Sequence, residues 1–172
     1  MPSPGHHWYH ITFGTYGSWI PGDPRGFRSK HEKIHSSGDH RNPPPPGEHA
    51  KLHQHIKQIK PDPICIPQPL LSIVGNTIVN DAAKRNYPLL TLSVSPMHVH
   101  MLIELPISET ATEVGKIKRQ ASMAITKQLP GRMWAKGCGI KPIRDKAHQV
   151  NTFNYILKHR THGAWVWSFK ER

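Results

Sequence analysis

The sequence has little cysteine, little acidic charge and no long apolar run. Its two cysteines, Cys65 and Cys138, are too few for a disulfide scaffold and match no zinc-binding spacing. No stretch approaches the length of a transmembrane helix, and the N-terminus lacks an apolar signal segment. These absences exclude a disulfide-stapled secreted domain and predict a protein of the reducing cytoplasm with no membrane partner.

The scarcity of acidic residues leaves the chain strongly basic. Lys and Arg number 23 against 11 Asp and Glu, which gives a formal net charge of +12, and 14 histidines could add to it. Such a balance favours a polyanion as partner. With 172 residues the chain has room for one domain with a substantial core, so we expect a single domain over residues 1–172.

The stretch Ser95–Leu105 is a short apolar run that contains two histidines. Side chains alternate along a strand, so His98 and His100 point to the same side as Leu102. The opposite side receives Val99, Met101, Ile103 and Leu105. Two imidazoles on one strand face can supply part of the ligand set of a divalent metal ion. The alternative is that both histidines are structural, which is the commoner role of an isolated His-x-His pair.

A predicted helix over residues 144–160 carries two different stripes. An apolar stripe of Val150, Phe153 and Leu157 is expected to pack on the domain. The stripe on the other side contains His148, Thr152, Tyr155, His159 and His162. Tyr155 and His159 lie one turn apart on it, and a tyrosine hydroxyl beside a metal ligand is suited to attack on a phosphodiester.

The Pro96–Ile103 motif (Pro-Met-His-Val-His-Met-Leu-Ile), a basic helix after it and the late Phe153–His159 motif (Phe-Asn-Tyr-Ile-Leu-Lys-His) carry a family resemblance. The chain resembles the single-tyrosine transposases of the HUH endonuclease superfamily, which include small insertion-sequence transposases and REP-associated tyrosine transposases. The resemblance covers about residues 6–18 and 66–168. Relatives often have Asn before the first histidine, whereas this chain has Met97, which leaves the histidines intact but removes a polar side chain.

The resemblance implies a site and an activity. In it His98, His100 and His159 are the metal ligands for Mg²⁺ or Mn²⁺, and Tyr155 is the catalytic nucleophile. Three histidines also suit zinc. The implied reaction cleaves and rejoins single-stranded DNA, folded as a hairpin, through a 5′-phosphotyrosine. His148 or His162 could assist in removing the tyrosine proton. Insertion-sequence relatives are usually dimers and REP-associated relatives can be monomers, so the resemblance implies either a homodimer or a monomer.

The order of predicted elements indicates an α+β fold. Strand, helix, strand, strand, helix, strand and helix form a ferredoxin-like split βαβ sandwich with an added C-terminal helix. Its sheet is expected to be antiparallel, with the strand of His98 and His100 central. A capping box, Thr110-Ala111-Thr112-Glu113, is expected to open the helix that runs to about Leu129, and residues 133–143 are expected to form a broken strand. Residues 163–167 are expected to form either a last short strand or a strap over the sheet.

A Pro/His-rich insertion at about residues 17–66 has no hydrophobic periodicity, although residues 48–60 contain a charged stretch with helical potential. Its Arg25 and Arg28 are candidates for contacts with DNA phosphates, and Trp19 or Phe27 for stacking on an unpaired base. The outward face of the later helix offers three more candidates for DNA binding: Lys116, Arg119 and Lys127. The alternative for both groups is a solvated basic surface.

Two other functions are compatible with parts of the pattern. A domesticated hairpin-binding regulator would keep the fold and the basic surface without cleaving DNA, and loss of a site residue would be its sign. A metal-dependent hydrolase of a small substrate would use the histidines alone. That function leaves the net charge and the alignment of Tyr155 with His159 without a role.

Overall fold

The computed structural model describes residues 2–27, 35–38, 42, 44–60 and 62–171. The chain forms two compact units, one of Met1–Thr15 with Cys65–Arg172 and one of Tyr16–Ile64. Within the described ranges, no helix is both long enough and apolar enough to cross a membrane.

The larger unit is built on a five-stranded sheet. Its strands are β1 (His6–Gly14), β2 (Leu89–Val94), β3 (His98–Pro106), β4 (Gly139–Pro142) and β5 (Trp165–Ser168). The order across the sheet is β4-β1-β3-β2-β5, and each neighbouring pair is antiparallel. The prediction of an α+β ferredoxin-like fold, with the His98 strand at the centre of an antiparallel sheet, is therefore confirmed.

Helices cover both faces of this sheet. The described helices are α1 (Ala50–Ile59, in the smaller unit), α2 (Gln68–Lys84), α3 (Thr110–Ile125) and α4 (Lys146–Lys158). The main core joins α2 and α3 to one face, where alternate residues of β3 are fully buried: Val99, Met101, Ile103 and Leu105. A second cluster joins α4 to the other face through Leu102, Ile143, Phe153 and Ile156. The alternation along β3 therefore supplies two separate cores.

The packing face of α4 differs from the predicted stripe. Phe153 is buried as expected and Leu157 is partly buried, but Val150 is 44% exposed, while Ile156 is fully buried. The reason is that α4 lies over Leu102 of β3, which turns the helix so that Phe153 and Ile156, rather than Val150, face the sheet.

The predicted capping box at the start of α3 is wrong. Thr110 is the first helical residue, and its hydroxyl donates to the carbonyl oxygen of Pro106 at 2.6 Å. The Glu113 carboxylate, which the motif would direct back to the helix start, instead accepts from Lys116 at 2.6 Å and from Arg85 at 3.4 Å. A charged partner within reach outcompetes a backbone amide for that carboxylate. The helix ends at Ile125, earlier than the predicted Leu129.

Two other expectations near the C-terminus are refined. The broken strand expected over residues 133–143 is reduced to β4, and Trp134 forms only an isolated bridge with Thr15. The stretch that was expected to be a last strand or a strap is a strand, β5, which pairs with β2.

The smaller unit has a short helix and hydrogen-bonded turns. The charged stretch of residues 48–60 forms α1, none of whose residues is buried. Phe27 and Ser36 exchange two hydrogen bonds of 2.9 Å, from the Ser36 amide to the Phe27 carbonyl and from the Phe27 amide to the Ser36 hydroxyl. Local polar contacts of this kind connect the described parts of a unit that has little apolar periodicity.

Gly75, inside α2, allows a close approach between the helix and β5. A Cβ at this position would lie 2.0 Å from a ring carbon of Trp165. We expect Gly75→Ala to lower the free energy of unfolding by about 1–2 kcal/mol, since overpacking exceeds the gain in helix propensity. Gly115→Ala in α3, where a Cβ meets nothing within 4 Å, is the matched control and should raise stability by up to about 1 kcal/mol. Urea denaturation of both variants measures the difference, and equal stabilisation would contradict the close approach.

Candidate metal centre and catalytic tyrosine

Three imidazoles from two distant segments of the chain meet on one face of the sheet. One ring nitrogen each of His98, His100 and His159 lies within 4.8 Å of the other two. The rings of His100 and His159 stack with centroids 4.5 Å apart, and the His98 ring contacts both edge-on, at 5.0 and 5.6 Å. The structure thus brings together the three residues that the sequence singled out as ligands.

Neighbouring groups occupy one nitrogen on each histidine of β3. The Ser95 hydroxyl lies 2.9 Å from Nδ1 of His98 and also accepts from the His98 amide at 3.2 Å. Nε2 of His10, on β1, lies 3.1 Å from Nδ1 of His100. With Nδ1 occupied on both rings, Nε2 is the nitrogen that each would offer to an ion.

Helix α4 places Tyr155 and His159 beside the strand histidines. Asp145 caps its start by accepting a hydrogen bond from the His148 amide at 2.7 Å. The helix passes at His159 into a 3₁₀ turn, which Gly163 ends at a φ of 76°. Tyr155, 48% exposed, lies with its ring centroid 5.0 Å from His159 and 5.6 Å from His100. The phenol is therefore next to the imidazoles and accessible from solvent.

Burial lowers the pKa values of three histidines at this site: His100, His159 and the neighbouring His10. It lowers the pKa of His100 to about 2, with the nearby His159, His98 and His10 acting in the same direction. Burial also lowers the pKa of His10 to about 4, helped by the charge of Lys141. The pKa of His159 is lowered by burial and by His162. Neutral imidazoles keep the lone pairs that metal coordination needs.

The cluster fits a divalent metal ion. Nε2 of His159 is buried and has no hydrogen-bond partner among the described residues. A buried polar atom without a partner is costly, and coordination of an ion would satisfy it. An imidazole set of this kind suits Mn²⁺ and Zn²⁺, and accepts Mg²⁺ when water and phosphate oxygens complete the shell.

Sequence reasoning missed two residues of this site. His10 has no local sequence signal of a role, because only the pairing of β1 with β3 brings it to His100. Lys141 pairs with His10 across β1 and β4, so its side chain shares the face of the cluster. Its only sequence signal was a basic residue in a short predicted strand.

The predicted DNA-binding residues are on other elements of the chain. Arg25 forms an ion pair with Asp23 and stacks over Trp19 at 4.2 Å within the smaller unit, while Arg28 lies outside the described residues. Lys116, Arg119 and Lys127 are exposed. They lie on or just after α3, which packs on the sheet face opposite to the histidines. Their DNA contacts stay predictions.

The two histidines considered for proton removal have different surroundings. Nδ1 of His148 accepts a hydrogen bond from the Arg144 amide at 3.2 Å. His162 lies in the exposed turn after α4. The imidazoles that contact the Tyr155 ring within the described structure are His10, His100 and His159.

The lowered pKa values predict that the free energy of unfolding decreases as the pH is lowered. Below about 6.5, the unfolded chain takes up protons on these histidines while the folded protein does not, so unfolding is favoured as pH decreases. His100 alone should cost about 1 kcal/mol between pH 7 and 5.5, and His10 acts in the same direction. Urea denaturation in EDTA over this range measures the effect. His100→Gln should flatten the profile, and a wild-type profile that is already flat would contradict the prediction.

Comparison with known proteins gives a likeness in structure only. No protein-family model matches the chain, and no curated protein does. The chain is similar to the solved structure of a REP-associated tyrosine transposase bound to a REP hairpin, with a TM-score of 0.51 and 14% sequence identity over 91% of this chain and 68% of that one. At this identity the likeness shows a shared fold.

Proposed function

We propose that this protein cleaves and rejoins single-stranded DNA in a metal-dependent reaction, with Tyr155 as the nucleophile. The observation that carries this proposal is the position of Tyr155, an exposed phenol whose ring contacts two of the three clustered imidazoles. A structural histidine cluster needs no exposed tyrosine beside it. A metal-dependent nuclease that bonds to DNA through a tyrosine needs both the ligand cluster and the tyrosine.

In this function His98, His100 and His159 hold Mg²⁺ or Mn²⁺. The bound ion would neutralise a non-bridging phosphate oxygen and stabilise the charge of the transition state. The three rings lie close together, and the lowered pKa values of His100 and His159 leave these two rings with the lone pairs that coordination needs.

The chemical step takes place at the oxygen of Tyr155. This oxygen attacks phosphorus, the new O–P bond forms, and the bond from phosphorus to the 3′-oxygen breaks. The 5′-phosphate stays on Tyr155, the phenol proton passes to solvent, and the leaving 3′-oxygen takes up a proton. Attack by another 3′-hydroxyl reverses the step and joins new ends. No ATP is required, because the phosphotyrosine keeps the bond energy of the diester.

A DNA hairpin is the proposed substrate. The solved structure with a similar fold holds a REP hairpin, and the net charge of +12 favours a polyanion. Lys141 adds a cation on the face of the histidine cluster, where the scissile phosphate would lie. The single-stranded DNA that flanks the stem of a hairpin is unpaired, and an exposed tyrosine can reach its phosphates.

The nucleophile is tested with labelled single-stranded hairpin DNA and Mn²⁺ or Mg²⁺. A denaturing gel should show a protein-linked DNA band for the wild type and none for Tyr155→Phe, because the phenylalanine lacks the attacking oxygen. Tyr87→Phe is the matched control. It removes a hydroxyl next to Glu113, beyond the end of β2 remote from His98, and should leave the band intact.

The other outcomes separate the alternatives. A shift in a native gel without a covalent band, across varied hairpins and both metals, would favour the hairpin-binding regulator. Absence of DNA binding would favour a hydrolase of small substrates.

Lys141 is expected to contact the DNA backbone. In a Tyr155→Phe background with EDTA, Lys141→Gln should weaken hairpin binding and lower the slope of log Kd against log salt by about 1. Lys84→Gln, on α2, which packs on the sheet face opposite to the histidines, removes a charge of the same sign and should leave both quantities unchanged. Equal losses in the two variants would show that Lys141 acts through the net charge of the protein and not through a local contact.

A further inference from the structure

His10 contacts the candidate ligand His100 at Nδ1, the ring nitrogen that would not bind the metal ion. It is on β1, whose register with β3 sets Thr12 opposite His100 and His10 opposite Leu102. This diagonal relation brings Nε2 of His10 within 3.1 Å of Nδ1 of His100, with the two rings stacked and their centroids 5.4 Å apart. A hydrogen bond between two ring nitrogens needs one proton between them. The nitrogen that carries this proton decides whether Nε2 of His100 has a free lone pair for a metal ion.

Only one arrangement of that proton leaves His100 able to coordinate an ion through Nε2. The proton must then be on Nδ1 of His100, and Nε2 of His10 must accept it. We propose that His10 is a positioning residue that accepts this hydrogen bond, fixes the tautomer of His100 and holds its Nε2 toward the metal ion. This role rests on the proposed function, since His100 is a ligand only there.

The neighbouring ligand supports the assignment. The Ser95 hydroxyl lies 2.9 Å from Nδ1 of His98, so both histidines of β3 have a hydrogen-bonding partner at the same ring position. Metal-binding histidines usually have such a partner on the nitrogen that does not coordinate, and its loss costs about 10- to 100-fold in metal affinity. One partner comes from the turn before β3 and the other from the adjacent strand.

A direct role for His10 as a fourth ligand is disfavoured by the same geometry. Its Nε2 is engaged with Nδ1 of His100, whereas the candidate ligand atoms that lie within 4.8 Å of one another belong to His98, His100 and His159. His10 also contacts the Tyr155 ring, with centroids 5.9 Å apart. Because a change at His10 could alter cleavage through Tyr155, activity alone cannot test the proposal, and metal binding without DNA must be measured.

The test is titration of the 172-residue protein with Mn²⁺ alone, monitored by calorimetry and electron paramagnetic resonance. His10→Phe keeps a ring but removes the acceptor, and should weaken the affinity about 10- to 100-fold. His10→Gln places an amide oxygen near the position of Nε2 and should recover most of it. His7→Phe is the matched control on the same strand, with its side chain on the opposite face. It should bind Mn²⁺ as the wild type does.

Each other result has a defined meaning. Wild-type affinity in His10→Phe would overturn the role of His10 and leave the proposed metal centre intact. Electron spin-echo envelope modulation counts the imidazoles bound to Mn²⁺. The loss of one bound imidazole in His10→Gln would show that His10 is a ligand, and it would also overturn the proposal. Absence of Mn²⁺ binding by the wild type would instead remove the metal centre itself.

A second measurement on the wild type does not depend on the variants being folded. Nitrogen-15 NMR of the metal-free protein should show the proton of His100 on Nδ1. A proton on Nε2 would overturn the proposal even if His10→Phe failed to fold.

Discussion

The pairing of β3 on both of its edges is the constraint on which the rest of the structure depends. β1 and β2 hold its backbone, so each side chain has a fixed face. One face fills the main core with Val99 and Met101, and the other presents His98 and His100. A register slip of one residue would bury the imidazoles and expose the core residues. The hydrophobic effect that stabilises the sheet therefore also fixes the position of the candidate ligands.

The same strand face also fixes α4. Leu102 follows His100 on that face and packs with Phe153 and Ile156. This apolar contact lies next to the imidazoles, because Leu102 is only two residues from His100. It therefore holds the helix that supplies Tyr155 and His159 close to His100. Because Ile156 and Tyr155 are adjacent in sequence, burial of the first leaves the second on the exposed flank of the helix, beside the histidines.

Local patterns predicted what depends on local periodicity. The two faces of β3 and the spacing of Tyr155 and His159 follow from residues within one element, and the antiparallel sheet with the His98 strand at its centre followed from the order of elements. His10 could not be found in this way, because its contact depends on the register between strands 90 residues apart. The capping box failed because Glu113 accepts its shorter hydrogen bond from Lys116, three residues on in α3, and a longer one from Arg85, at the end of α2. The basic face of α3 was recognised, but only the packing showed that it lies on the opposite side of the sheet.

The composition of the cluster bears on what it can bind. The candidate ligands are all imidazoles, and the charges that act on His10, His100 and His159 come from Lys141 and other histidines. Neutral ligands leave the charge of a divalent ion uncompensated, whereas carboxylate ligands would cancel much of it. An anionic substrate can supply the compensating charge, and in the proposed reaction a phosphodiester would do so at the oxygen next to the phosphorus that Tyr155 would attack. An all-histidine centre beside an exposed tyrosine therefore fits an anionic phosphate.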